Sequence, residues 1–128
     1  MADVSRTAAP APPLLRKGSQ GDAVKGLQNA LNMRNGAGLP IDGVFGATTE
    51  QAVVQFQTDA GLDVDGIVGP GTWGTLGVYA VQRGDTLSRI AEHQLHDKQR
   101  WPEIFDLNRE LIHDPNKIFP GQVLTLPF

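Results

Sequence analysis

Two aspartates occupy matching positions in a repeated turn sequence, and paired carboxylates can perform acid–base catalysis. Asp42 opens the sequence Asp-Gly-Val-Phe-Gly, and Asp65 opens Asp-Gly-Ile-Val-Gly 23 residues later. Asp-Gly is also a strong turn signal, because Asp bonds its own downstream backbone and Gly accepts a positive φ. We therefore interpret both aspartates as structural residues of two turns rather than as a catalytic pair.

Histidines near the middle of the second half raise the possibility of a metal site. His93 and His96 have the spacing that places two side chains on one helix face, and Asp97 follows them. A third ligand would have to come from His113 or from a distant carboxylate. Because exposed histidines are common at helix ends, we predict neither a metal nor any other cofactor.

Composition excludes several classes of function. The chain has 128 residues, a formal net charge of −3 and no cysteine. The absence of cysteine excludes a thiolate nucleophile. The sequence also has no run of basic residues that could bind the phosphates of a nucleic acid. Its apolar runs fall well short of the roughly 20 residues that a membrane span needs.

We recognise no Sec signal in residues 1–13, so a signal was removed, export follows another route, or the protein stays inside the cell.

The repeated turns organise three predicted helices. The first has Asp22 as its N-cap and ends at Gly36, and the second has capping-box spacing at Thr48 and Gln51. The third is short and covers residues 70–76. Residues 1–13, rich in Ala and Pro, are predicted to be a disordered arm that serves as a tether.

The motifs of residues 14–77 resemble the peptidoglycan-binding domain found beside cell-wall hydrolases. They are Leu15-Arg16-x-Gly18-Ser19-x-Gly21-x-x-Val24-x-x-Leu27-Gln28, Asp42-Gly43-x-Phe45-Gly46-x-x-Thr49, Ala52-Val53-x-x-Phe56-Gln57 and Gly61-Leu62-x-x-Asp65-Gly66-x-Val68-Gly69-Pro70-x-Thr72-Trp73. The resemblance implies an all-α three-helix bundle that binds cell-wall glycopeptide without cutting it. It also implies a groove near the helix starts that follow the two turns.

The pattern changes after Leu76. A short strand is predicted at residues 79–82, a turn at 83–86, a helix from Leu87, a second helix from Trp101 with Ile104 among its buried residues, and a closing strand at 123–126. This order of strand, helix, helix and strand predicts a small α+β unit whose two strands pair.

The second half, residues 78–128, resembles a LysM domain. The motifs are Tyr79-x-Val81-x-x-Gly84-Asp85-Thr86-Leu87-x-x-Ile90-Ala91, Ile104-x-x-x-Asn108 and Ile118-x-Pro120-Gly121-Gln122-x-Leu124-x-Leu126-Pro127. The resemblance implies a βααβ fold. His96 stands where the longer LysM variety usually has Gly, so the end of the first helix departs from the pattern.

A LysM resemblance implies a shallow groove for glycans that contain N-acetylglucosamine. The candidate glycan-binding residues come from the first turn, the end of the second helix and the loop before the last strand: Gly84, Asp85, Thr86, Leu87, Asn108, Pro115, Asn116, Lys117, Ile118 and Phe119. Several have structural alternatives. Asp85 and Thr86 are ordinary helix-capping residues, Ile118 fits a core position, and Asn108 fits a residue that pins a loop.

Together these features predict a non-catalytic bacterial wall-binding protein that uses two modules for avidity. Because only Gly77 and Val78 separate the modules, we expect a defined contact between them. Peptidoglycan would be the partner, and the cell envelope or the exterior the location. The alternative is a structural or adaptor component of a phage-tail or contractile injection assembly, in the cytoplasm or on the particle, with a protein partner. A degenerate hydrolase and a cation-binding stress protein are weaker alternatives.

Overall fold

The structure is a computed structural model that describes residues 12–128. The predicted arm, residues 1–13, therefore lies outside the described residues except for its last two prolines. Of these, Pro13 accepts a hydrogen bond at its carbonyl oxygen from Nε1 of Trp73, at 2.9 Å. The start of the described chain is thus fixed to the third helix of the first module.

The first module contains three helices: α1 (Asp22–Asn35), α2 (Ala47–Ala60) and α3 (Pro70–Leu76). Glycines in the left-handed conformation end α1 and α2, at Gly36 with φ 61° and at Gly61 with φ 72°. The apolar faces of the helices meet in one core, whose largest fully buried side chain is Phe45. The all-α three-helix prediction is therefore confirmed.

The predicted caps at the starts of α1 and α2 are wrong. Gly21 and Gly46 are the N-caps, and neither helix start has a capping side chain. The chain enters each helix through a glycine, Gly21 with φ 120° or Gly46 with φ −104°, so the helices begin at Asp22 and at Ala47. Thr48 therefore falls inside the first turn of α2 and is exposed.

The second module has the order β1 (Val78–Ala80), α4 (Leu87–Leu95), a short 3₁₀ helix (Lys98–Arg100), α5 (Trp101–Leu107) and β2 (Val123–Thr125). β1 and β2 are antiparallel, with Tyr79 opposite Leu124. Both strands are shorter than predicted, but the α+β order is confirmed. His96 ends α4 in the left-handed conformation, with φ 60°, and so takes the backbone geometry that Gly would otherwise supply.

The two-stranded sheet is shared between the modules because neighbouring residues of a strand face opposite sides. Ala80 and Val123 belong to the core of the first module. Val81 and Leu124, the residues that follow them, belong to the core of the second. The sheet therefore lies between α1 on one face and the pair α4 and α5 on the other.

The defined contact expected between the modules is present on the α1 face. Gly26 of α1 lies so close to β2 that an added Cβ would be 2.7 Å from Cβ of Val123. Arg34 donates hydrogen bonds to the carbonyl oxygens of Leu76, Gly77 and Leu126.

Within residues 12–128, no helix is long and apolar enough to cross a membrane.

Candidate functional site

A cavity of about 270 Å³ opens in the second module between the β1–α4 turn and the loop before β2. We call it the LysM cavity. The candidate residues that line it are Asp85, Thr86, Leu87, Pro115, Asn116 and Ile118. Ser88 and Trp101 line it as well, and sequence reasoning gave neither a place in the site.

The β1–α4 turn is held in place by hydrogen bonds of its own side chains. Oδ2 of Asp85 accepts from the hydroxyl of Tyr79 and from the amide of Gln82, both at 2.7 Å. Oγ1 of Thr86 accepts from the amide of Arg89 at 3.2 Å and caps α4. Burial, together with the bond to Asp85, raises the pKa of Tyr79 above its usual range, so this tyrosine stays a hydrogen-bond donor.

The opposite wall of the cavity is a tight loop. Oδ1 of Asp114 accepts from the amide of Asn116 at 2.9 Å, and the carbonyl oxygen of Asp114 accepts from the amide of Lys117 at 2.9 Å. These bonds are those of an Asx turn, and they fix Pro115, Asn116 and Ile118 against the cavity.

Three candidate residues lie near the cavity without lining it. Gly84 has a φ of 85° and supplies the left-handed turn conformation that leads the chain from β1 towards α4. Lys117 is exposed on the loop. Phe119 is 48% exposed and lies against a different cavity, between the two modules.

The placement of Asn108 corrects its inclusion among the glycan contacts, because its side chain is completely buried. Nδ2 donates to the carbonyl oxygens of Ile104 and Thr125, at 2.7 and 2.9 Å. Oδ1 accepts from the amide of Thr125 at 2.8 Å and from Nδ2 of Asn29 at 3.1 Å. Asn108 therefore ties the end of α5 to β2 and to α1, and its side chain cannot reach a ligand in the cavity.

The chemistry of the LysM cavity suits an uncharged sugar. Among the described residues that line it, Asp85 alone is ionisable, and its carboxylate already bonds within the turn. Hydroxyl and amide groups lie beside the apolar surfaces of Trp101 and Ile118. An amphipathic aromatic surface with a few oriented polar groups is typical of a site for a small polar ligand with apolar faces.

The position of Trp101 could have been noticed in the sequence. It stands at the first turn of α5, before Pro102, whereas Ile104 takes the fully buried position of that helix. A large aromatic residue placed outside the buried stripe of a short helix is available for a surface site. Sequence reasoning used it only to mark the start of α5.

The two turn motifs of the first module are held by equivalent glutamines. Nε2 of Gln28 donates to Oδ1 of Asp42 at 3.0 Å and to Oγ1 of Thr49 at 3.2 Å. Nε2 of Gln57 donates to the corresponding atoms of Asp65 and Thr72, both at 3.1 Å. Each glutamine also accepts, at Oε1, the amide of the turn glycine.

These bonds account for both aspartates. Hydrogen bonds from Gln28 and from the amide of Val44 lower the pKa of Asp42. The amide of Ile67, together with Gln57, lowers the pKa of Asp65. Carboxylates held in the charged form by turn amides are poor general acids, which supports their structural interpretation.

The histidines of α4 do not assemble a metal site with other ligands in the part of the chain that the structure describes. Among residues 12–128, no three His, Asp or Glu side chains are grouped closely enough to hold a metal ion. His93 and His96 are exposed, and His96 is the residue that ends the helix.

Comparison with known proteins places a family on each half of the chain. Residues 20–76 match the family described as "Putative peptidoglycan binding domain". Residues 79–127 match the LysM domain family. The two matches meet at the short connection between α3 and β1.

Relatives cover only parts of the chain. The potassium binding protein Kbp of Escherichia coli is 41% identical over 49 residues, which are 38% of this chain and 33% of that protein. The chain thus spans about a third of this curated relative's length.

Two solved structures also align with part of the chain. The SleB N-terminal domain is 35% identical, with a TM-score of 0.49, over 54% of this chain and 93% of that one. A peptidoglycan-binding protein from Clostridioides difficile is 44% identical, with a TM-score of 0.48, over 50% of this chain and 40% of that one. Along the chain, the family models thus find a peptidoglycan binding domain followed by a LysM domain.

Proposed function

We propose that the protein is a non-catalytic wall-binding protein whose LysM cavity holds N-acetylglucosamine-containing glycan. The observation that carries the proposal is the cavity itself, which gathers residues from the β1–α4 turn, α5 and the loop before β2. Its uncharged hydroxyl and amide groups would bond the sugar hydroxyls, and Trp101 and Ile118 would cover a ring face or an acetamido methyl group.

The non-catalytic part of the proposal is supported by what the carboxylates do. Asp42 and Asp65 are held in turns, and Asp85 orders the entry into α4. The family that matches residues 20–76 is named for peptidoglycan binding, and a binding domain needs neither an activated nucleophile nor a general acid.

Avidity follows from the way the modules are joined. The first module would make a second contact with the same wall, and the short connection together with the α1 contact holds both binding surfaces on one body. Once one surface is bound, the second meets its ligand at a high effective concentration. In this proposal the protein works at the bacterial cell envelope or outside the cell.

The first experiment is sedimentation of the intact protein with insoluble peptidoglycan. We expect the wild type to sediment and Trp101→Ala to bind about tenfold more weakly, a loss of about 1.4 kcal/mol. Phe128→Ala is the matched control, because Phe128 is 72% exposed and lies outside the cavity. Separated halves are a poorer test, since cutting the chain would uncover the face of β2 that Gly26 covers.

Other outcomes would refute the proposal in different ways. A wild-type protein that stays in the supernatant would exclude wall binding and favour an adaptor role with a protein partner. Release of soluble muropeptides from the pellet would contradict the non-catalytic assignment. Equal sedimentation of Trp101→Ala and Phe128→Ala would remove the LysM cavity from the binding surface.

A further inference from the structure

Two cavities at the junction of the modules flank Glu110, and they are separate from the LysM cavity. The larger, of about 390 Å³, includes Asn29 and Met33 of α1 in its lining. The smaller, of about 230 Å³, includes Asp22 and Lys25 of α1. Because Glu110 lines both, we treat them as one feature and call it the junction groove.

The junction groove has the dimensions of a site for a short extended chain. Its α1 wall runs from Asp22 to Met33, a distance of about 16 Å at 1.5 Å per helical residue. At roughly 3.3 Å per residue, an extended peptide of about five residues has the same length. The opposite wall is formed by residues of the LysM module, among them Glu110 and Phe119.

The groove carries opposite charges that are not neutralised by each other. Lys25 lies on one wall and Glu110 on the other, and neither forms an ion pair in the part of the chain from residue 12 onwards. The stem of Lys25 rests beside the first turn motif, because a Cβ added to Gly43 would lie 3.3 Å from its Cγ and Cε atoms. The lysine is thus positioned by the turn that Gln28 holds.

One buried side-chain oxygen at the junction has no hydrogen-bond partner among the described residues. Asn29 lines the larger cavity and is completely buried. Its Nδ2 donates to the carbonyl oxygen of Leu107 and to Oδ1 of Asn108, at 2.9 and 3.1 Å. Its Oδ1 accepts no hydrogen bond from the residues that the structure describes.

We infer that the junction groove binds the peptide part of peptidoglycan, a short peptide that carries carboxylates and an ammonium group. The inference rests on the proposed wall-binding function. It assigns the charged peptide of the ligand to the junction groove and the glycan to the LysM cavity. Lys25 would pair with a peptide carboxylate and Glu110 with its ammonium group. Met33 and Phe119, each about half exposed, would cover alanine methyl groups.

One loop connects the two sites. Residues 113–119 present Pro115, Asn116 and Ile118 to the LysM cavity, whereas His113 and Phe119 line the junction groove. A wall fragment with its glycan in the LysM cavity would pass its attached peptide around this loop to place it in the junction groove.

The test is calorimetric titration of the full chain with two probes. The first is chitotetraose, which has N-acetylglucosamine and no peptide, and the second is a purified disaccharide tetrapeptide. The variant is Lys25→Gln with Glu110→Gln. The control, Lys17→Gln with Glu92→Gln, makes the same charge changes at exposed positions outside both sites. Thermal unfolding of all three proteins checks that the fold is retained.

We expect the Lys25 and Glu110 variant to raise the Kd for the disaccharide tetrapeptide about tenfold, as the loss of charge-assisted bonds requires, with chitotetraose binding unchanged. Unchanged binding of both probes by that variant would overturn the inference and leave the proposed function standing. A wild-type protein that binds neither probe nor insoluble peptidoglycan would overturn both.

Discussion

On one face of the β1–β2 sheet, α4 and α5 pack apolar side chains, whereas on the other face α1 adds to its apolar packing a close glycine contact and polar side chains. The α4 and α5 face is a conventional core that includes Leu87, Ile90 and Ile104. The α1 face also buries Ala80 and Val123 in the apolar core of the first module. It differs by the closeness of Gly26 to Val123 and by the hydrogen bonds of Asn29 and Arg34.

The difference indicates how the two modules are related. An apolar core tolerates changes of shape if its volume is conserved, whereas a close backbone contact depends on one missing side chain. We therefore expect the LysM core to determine whether the second module folds, and the α1 face to determine whether the two modules unfold as one unit. The two tryptophans can separate these effects, because Trp73 lies in the first module and Trp101 in the second.

The largest effect is expected on the α4 and α5 face. Ile104→Ala should lower the free energy of unfolding by about 2–5 kcal/mol, because Ile104 is completely buried and its truncation leaves a cavity. Urea denaturation followed by Trp101 fluorescence measures the loss. Ile104→Val, which removes less, should cost about 0.5–1.5 kcal/mol. Equal stability of Ile104→Ala and wild type would show that this face is not the core of the module.

A smaller effect is expected from filling the α1 face. Gly26→Ala should cost about 1–3 kcal/mol, because the new Cβ collides with Val123 of β2. It should also separate the unfolding transitions reported by Trp73 and Trp101, each measured with the other tryptophan replaced by Phe.

The matched control for that substitution lies in α3. Gly74→Ala adds the same methyl group to a helix, but at a position with nothing within 4 Å of the new atom. The better helix propensity of Ala should make this variant neutral or more stable by about 1 kcal/mol. A Gly26→Ala protein with one shared transition and wild-type stability would contradict the close contact.

A still smaller effect is expected from the polar part of the α1 face. Arg34→Lys keeps the positive charge but loses the guanidinium group, whose nitrogens donate to the carbonyl oxygens of Leu76 and Leu126 at the junction. We expect a loss of about 1 kcal/mol in the free energy of unfolding. Arg89→Lys on exposed α4 is the control and should change nothing measurable. Identical results for the two variants would mean that the Arg34 bonds contribute little to the joint.

Sequence reasoning predicted the elements of this fold well because its signals were local. The repeated Asp-Gly turns, Gly36 and Gly61 each mark a boundary where the structure has one. The helix caps failed for a local reason too, since a glycine takes the N-cap position of each helix. The polar side chains that resembled caps, Asp22 and Thr48, therefore lie inside the first turns. Strand lengths depended on pairing between residues far apart in sequence.

The sequence anticipated the lining of the LysM cavity only where a single turn or a single loop contributes it. Asp85, Thr86 and Leu87 follow one another, and Pro115 to Ile118 form one loop, so their motif identified them. Trp101 reaches the cavity from another helix, and no local pattern links it to either segment. The role of Asn108 depends on Asn29 and Thr125, which approach it only in the folded chain.

The smallest effects are expected from pH, and they should fall on opposite modules. The pKa values of Asp42 and Asp65 are lowered in the folded protein from the usual 3.8, so the stability they give is present above that value. It is lost as pH falls through the lowered pKa, and acid should weaken the first module.

Alkali should act on the second module instead, because the pKa of Tyr79 is raised from the usual 10.0. The neutral tyrosine is favoured in the folded protein, so its stabilisation is complete below pH 10.0 and declines as pH rises above it. Urea midpoints measured through Trp73 at low pH and through Trp101 at high pH should each fall first in their own module. In Tyr79→Phe the alkaline loss should shrink, and an undiminished loss would assign it to another group.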